Sequence, residues 1–180
     1  VHGPQRAKGN DMIVCGVDPA PEGFYWAAVE CVALGVLGKH RVLGSGHGAT
    51  ITDLPAAELY ALERPDFRPI GGRGNVGQSL AMAKCLTATA RTEGRMLGRL
   101  EERGLRVVDP TCGEVRTSLV GKPSCKDSDV SWALEHVCEL PKRSNAHVRD
   151  AVAVAIVGAR VWCAMQLPGA AVLGDMGGGA

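Results

Sequence analysis

Four residues of types that can do chemistry stand at telling places in the sequence: Asp18, Glu63, His147 and Asp150. Asp18 closes the run Met12 to Val17, which is apolar and rich in β-branched residues and reads as a strand covered on both faces. Pro19 and Pro21 lack the N–H that ladder pairing needs, and Gly23 then frees the chain to turn. An acid is thereby held on a stiff strand at the rim of a sheet, a favourable place for a reactive group. Glu63 ends a second extended stretch, Leu59 to Glu63, favoured over a helix because Pro65 and Pro69 follow and proline disfavours helical backbone in the residue before it. His147 and Asp150 are three residues apart at the start of an Ala- and Val-rich segment, so on a helix they share one face. Three carboxylates supply oxygen ligands of the kind that Mg²⁺ prefers. Each residue alone also has an ordinary reading: Asp18 opens an Asp-Pro turn, Glu63 is a solvated strand end, Asp150 complements a helix dipole, and His147 is a satisfied surface residue.

The elements that must position these groups follow from periodicity and punctuation. A second apolar run, Phe24 to Leu34, and a third, Val36 to Ser45, are joined by short links, which predicts an antiparallel meander. Gly38 and Lys39, or the glycines at 44, 46 and 48, mark the ends of the third strand, and residues 47–56 read as a linker. Gln78 to about Arg103 is a long helical pattern with Leu80, Ala83, Leu86, Ala90, Leu97 and Leu100 on one side, and Gly94 is a candidate break within it. Lys84, Arg91, Arg95 and Arg99 gather on another side, the usual pattern of a solvated face. Leu105 to Asp109 is a short buried-type strand, followed by helices over Gly113 to Val120 and Asp127 to Cys138, with Trp132 of the second read as core. Asn145 is a good cap for a final helix to Trp162, apolar enough to be largely surrounded by protein.

A chain of 180 residues that is 46% hydrophobic is the size of one domain, expected over residues 12–165 between a flexible segment, 1–11, and a flexible Gly-rich tail, 166–180. The formal charge of +1 excludes an overwhelmingly basic nucleic-acid binder, so any polyanion must be held by local clusters. Seven cysteines without a C-x-x-C pair read as reduced, intracellular thiols. No run of about 18 uncharged apolar residues argues for a membrane span. Gly72, Gly74 and Gly77 match the spacing of a dinucleotide-binding loop, but two prolines separate them from the preceding strand and the acid that should follow lies too far on, so nucleotide binding there is a minor alternative.

The order meander, acid, strand with acid, helix, strand, helices and terminal helix is that of an RNase H-like fold: a mixed five-stranded sheet, antiparallel meander plus parallel strands, flanked by helices. More closely, the sequence resembles the RuvC family of Holliday-junction resolvases over most of residues 12–162. IVCGVDPAPEGFYWAAVE is similar to that family's first strand, acid and hairpin, and LYALERPDF to its second acidic strand. GQSLAMAKCLTATA is similar to the following helix, GLRVVDPTCGEVRTSLVGKPSCKDSDV to the next strand and basic segment, and NAHVRDAVAVAIVGA to the terminal helix. The family often carries Asp-x-x-Asp there and in some members His-x-x-Asp, as at His147 and Asp150.

The resemblance implies a homodimeric endonuclease that nicks two opposed strands of a four-way DNA junction and leaves 5′-phosphate and 3′-hydroxyl ends. Two Mg²⁺ ions per site are implied, with Mn²⁺ as a substitute, held by Asp18 as the bridging ligand and by Glu63 and Asp150 on one ion each. His147 is implied either as a further ligand or in contact with the phosphate or the attacking water. Candidate DNA contacts are Arg64, Phe67, Arg68, Arg73, Lys84, Arg116, Lys122 and Lys126, with Phe67 near the place where relatives carry a wedge aromatic. The link into Glu63 is shorter than in typical members and lacks a helix before that strand, and Phe67 follows the acid one residue late. A branch-migration partner and a cytoplasmic, nucleoid-associated or organellar location belong to the same expectation. The alternative from another class is a non-cleaving nucleic-acid scaffold on the same fold.

Overall fold

The computed structural model describes residues 11–32, 39–65, 76–142 and 144–166. Its centre is the hairpin that the sequence marks first. β1 (Met12–Ala20) and β2 (Gly23–Cys31) pair antiparallel across the tight link at Pro21 and Glu22, and β3 (His40–Gly48) continues the meander. β4 (Leu59–Leu62) returns parallel to β1, and β5 (Val107–Val108) lies parallel to β4. β1 does not stop at Asp18 as the sequence predicts: Pro19 and Ala20 stay in register with Phe24 and Gly23, because β4 ends opposite Val17 and leaves Pro19 at an edge position that proline tolerates. A further pair of residues, β6 (Cys138–Glu139), lies parallel to the start of β3. Among the described residues the sheet therefore has six strands in the order β5-β4-β1-β2-β3-β6, one more than the five expected. Two residues carry no readable period, and β6 forms only because the end of the preceding helix delivers Cys138 and Glu139 to His40 and Arg41.

Alternation along β1 divides the core in two. Cys15 and Val17 face one side, where α1 (Val76–Glu102) supplies Met96 and Leu100 against Phe24, Tyr60 and Leu62. Val14 faces the other side, with Val29, Leu59 and Ala61, under α4 (Ala146–Met165). α2 (Cys112–Val120) and α3 (Asp127–Val137) pack outside α4, so that helix is buried from Ala151 to Ala159. A three-layer arrangement results, and it explains why α4 has no polar stripe along its middle.

Gly16 sets how closely α4 approaches the sheet. A Cβ there would overlap the Ala151 carbonyl oxygen and come within 2.6 Å of the Ala155 nitrogen, so only glycine admits the helix at this depth. Gly46 has a different use. The Trp26 ring fills the place its side chain would take, with Cζ2 2.9 Å from a built Cβ. Gly44 and Gly46 thus lie inside β3, and the strand, described from His40, ends at Gly48, three residues beyond the expected Ser45.

The link between β3 and β4 holds one 3₁₀ turn, Ile51–Asp53, in which the Asp53 carboxylate accepts from the backbone N–H groups of Ala49 and Thr50. α1 runs unbroken through Gly94. Trp132 is 65% exposed and lies against His136, so it is a surface residue of α3 and not part of the core. Its neighbours Ala133 and Leu134 face inward instead, which exhausts that helix's apolar face. No described helix is long and apolar enough to cross a membrane.

Candidate active site

Parallel pairing of β1 with β4 brings two acids to the same end of neighbouring strands. Leu62 is the register partner of Val17, and the Glu63 N–H donates to the Val17 carbonyl at 2.9 Å, which puts Glu63 beside Asp18 at the sheet's rim. The third group comes from α4. Asn145 caps that helix by accepting from the Val148 N–H at 2.8 Å, and the close approach at Gly16 lowers the first turn onto the strand ends. His147 and Asp150 then face Asp18. One ligand atom from each of Asp18, His147 and Asp150 lies within 4.8 Å of the others.

The His147 Nδ1 is 2.8 Å from Asp18 Oδ2. An ionised carboxylate only accepts, so Nδ1 carries the proton and, in the neutral ring, Nε2 keeps its lone pair. Asp18 is mostly enclosed, its side chain 13% exposed, whereas that of His147 is 54% exposed. Beside them, Glu63 and Asp150 line a small cleft of about 70 Å³ with Cys112, Arg116 and Asp127.

The acids titrate as a group held out of water among its own charges. Burial raises the Asp18 carboxyl above its ordinary range, opposed by the His147 hydrogen bond and charge and by a hydrogen bond from Glu63. Glu63 is pushed up to about 7, first by burial and then by the charges of Asp18 and Asp150, with the Cys112 thiol opposing. Asp150 is pushed up to about 6 by burial and by Asp18 and Asp127. Asp150 is exposed at the mouth of the cleft. Arg116 is the cation that eases both Glu63 and Asp150, but it is already engaged. Its guanidinium donates to Asp127 Oδ1 at 2.5 Å and to the Cys125 carbonyl, and its Nε faces Cys112 Sγ at 3.4 Å.

Oxygen-rich donors whose mutual repulsion is only partly offset by His147 and Arg116 suit a hard divalent cation. Among the described residues, Asp18, His147 and Asp150 are the group close enough to hold one ion together, and Glu63 lies beside Asp18 but is not one of that group. Of the residues expected to touch DNA, Arg64 is exposed, bridges backbone to Thr111 and reaches Asp109 at 3.6 Å. Lys84 is exposed on α1, Lys122 is exposed just after α2, and Lys126 precedes α3, where its N–H donates to Asp129. Arg116 lies in the cleft with the acids. Phe67, Arg68 and Arg73 lie outside the described residues, as do Gly72 and Gly74.

Two residues adjoining the acids were not singled out by sequence. Tyr25 is the register partner of Asp18, and His47 that of Tyr25, so Asp18, Tyr25 and His47 form one row across β1, β2 and β3, with Glu63, just past the end of β4, next to Asp18. Counting outward from a two-residue link at Pro21 and Glu22 pairs Asp18 with Tyr25, a signal present in the sequence once the turn is fixed.

No protein-family model matches the sequence, and no curated protein matches it significantly. The fold has solved counterparts. The structure of Thermus thermophilus RuvC aligns with a TM-score of 0.59 at 20% identity, covering 86% of this chain and 96% of that one. T. thermophilus RuvC in complex with a Holliday junction substrate aligns with a TM-score of 0.60 at 21% identity over the same shares. The sheet order and these two likenesses together establish that the chain has a RuvC-like fold, of the RNase H-like class.

Proposed function

We propose that this protein is a metal-dependent endonuclease that resolves four-way DNA junctions by paired symmetric nicks, leaving 5′-phosphate and 3′-hydroxyl ends. The observation that carries the reading is the convergence of Asp18, His147 and Asp150 within 4.8 Å, with Glu63 alongside, on a RuvC-like fold. A structural neighbour solved with a Holliday junction supports the choice of substrate. A homodimer would set two such sites against the near two-fold symmetry of a junction, and a branch-migration protein is its expected companion.

Asp18, Glu63 and Asp150 would hold Mg²⁺. When bound, the metal would supply Lewis-acid stabilisation of the charge that develops on the phosphate and the departing 3′ oxygen and would lower the pKa of a water. Asp18 is fixed for this role by ladder pairing on both sides of β1, so its carboxylate is set before substrate arrives. His147 orients one Asp18 oxygen through Nδ1–H and keeps Nε2 to accept from the attacking water or to ligate. Arg64, Lys84, Lys122 and Lys126 would meet phosphates outside the centre, and Phe67 would act as a wedge between bases. Arg116, committed to Asp127 and Cys125, serves the acids' electrostatics more than a phosphate.

The test is incubation of labelled four-way junctions and linear duplexes with and without Mg²⁺. Paired nicks in the junction alone, dependent on metal, support the reading. Junction binding with no metal-dependent cutting in either substrate would replace it with the scaffold.

A further inference from the structure

His147 has two contacts that fix its ring, and only one of them is with an acid. Its imidazole lies face to face on the phenol of Tyr25, with centroids 4.4 Å apart and planes 6° from parallel. Tyr25 in turn meets His47 edge-on, at 4.9 Å and 65°. One hydrogen bond leaves an exposed imidazole free to swing about the Nδ1–Oδ2 axis, which changes where Nε2 points. A stack removes that freedom, because rotation out of the plane would break ring contact.

The backbone fixes the stack's base. Tyr25 is Asp18's cross-strand partner, so the ring under His147 and the carboxylate at its Nδ1 come from adjacent positions of one rigid hairpin. His47, from the next strand, closes the other side of the phenol. Neither residue contributes a carboxylate, and Tyr25 is only half-buried, so core packing alone does not account for an aromatic at this point of the rim.

We infer that Tyr25 is a positioning residue: its ring, braced by His47, sets the plane of His147 and hence the direction of Nε2 toward the reacting phosphate. The inference rests on the nuclease reading for its catalytic consequence but not for its geometry. The ring and not the hydroxyl does the work, so phenylalanine is the conservative replacement and leucine the disruptive one.

The test compares Tyr25→Leu with Tyr25→Phe. Imidazole proton resonances of metal-free protein, with His147 assigned by its loss in His147→Gln, are expected at the upfield position that a facing ring imposes. They should move downfield in Tyr25→Leu and return in Tyr25→Phe. Single-turnover nicking of a four-way junction should fall by roughly one to two orders of magnitude in Tyr25→Leu with binding little changed, since misorientation of a reacting group costs on this scale. Tyr25→Phe should recover most of that loss. An unmoved His147 resonance in Tyr25→Leu overturns the proposal, as does a Tyr25→Phe variant as impaired as Tyr25→Leu. If wild-type protein cuts no junction, the nuclease reading fails while the resonances still decide the stack.

Discussion

Replacing Glu63 by glutamine should make the metal-free protein more stable at pH 8, although it removes a charged residue from the centre. The Glu63 carboxyl is raised from 4.5 to about 7 by burial and by Asp18 and Asp150. A raised acid binds its proton more tightly folded than unfolded. Its contribution is therefore fully present below about pH 4.5 and is lost as pH rises through about 7. At about 1.4 kcal/mol per pKa unit, the ionised side chain costs the fold about 3 kcal/mol at pH 8. Glutamine keeps the shape without the charge. Urea unfolding in EDTA should thus place Glu63→Gln above wild type by that amount at pH 8, and thermal unfolding should show a Tm higher by roughly 6–12 °C. Near pH 4.5 the gap should close. Added Mg²⁺ should narrow it at pH 8 by stabilising wild type. Equal or lower stability of Glu63→Gln at pH 8, or a gap that does not change with pH, would refute the reasoning.

Protons and metal compete for the same oxygens, so the Mg²⁺ concentration for half-maximal cutting should rise as pH falls from 8 to 6, through the range where Glu63 and Asp150 protonate; a flat dependence would count against them as ligands. Gly16→Ala should destabilise the fold by about 1–3 kcal/mol or more, because the new Cβ overlaps the Ala151 carbonyl, and thermal unfolding measures this directly. Asn145→Ala removes the cap of α4 and should cost about 1 kcal/mol by urea unfolding, with faster hydrogen exchange confined to the turn that carries His147.

The parts of this structure legible in sequence are those governed by local rules. The apolar β-branched run before Asp18, the proline bias before Glu63 and the Asn145 cap each depend on near neighbours, and the corresponding elements are present at β1, β4 and α4, although β1 runs two residues past Asp18. What was not legible depends on pairs distant in sequence. Gly44 and Gly46 look like strand ends until Trp26 is known to lie over them. β6 exists only through its two partners on β3. Trp132 has the character of a core residue, but α3 buries Ala133 and Leu134 and leaves the indole outside. At the candidate site the acids could be named one by one, whereas the row from Asp18 through Tyr25 to His47 required the register of three strands.

The central claim is that the carboxylates around Asp18 form a metal-dependent nuclease centre, and Asp18→Asn tests it most directly. The substitution removes the charge of a proposed metal ligand while leaving the ladder pairing of β1 untouched. With a labelled four-way junction in Mg²⁺, wild type should produce paired nicks, and Asp18→Asn should bind the junction with similar affinity and cut neither strand. Cutting by Asp18→Asn at the wild-type rate would contradict the account.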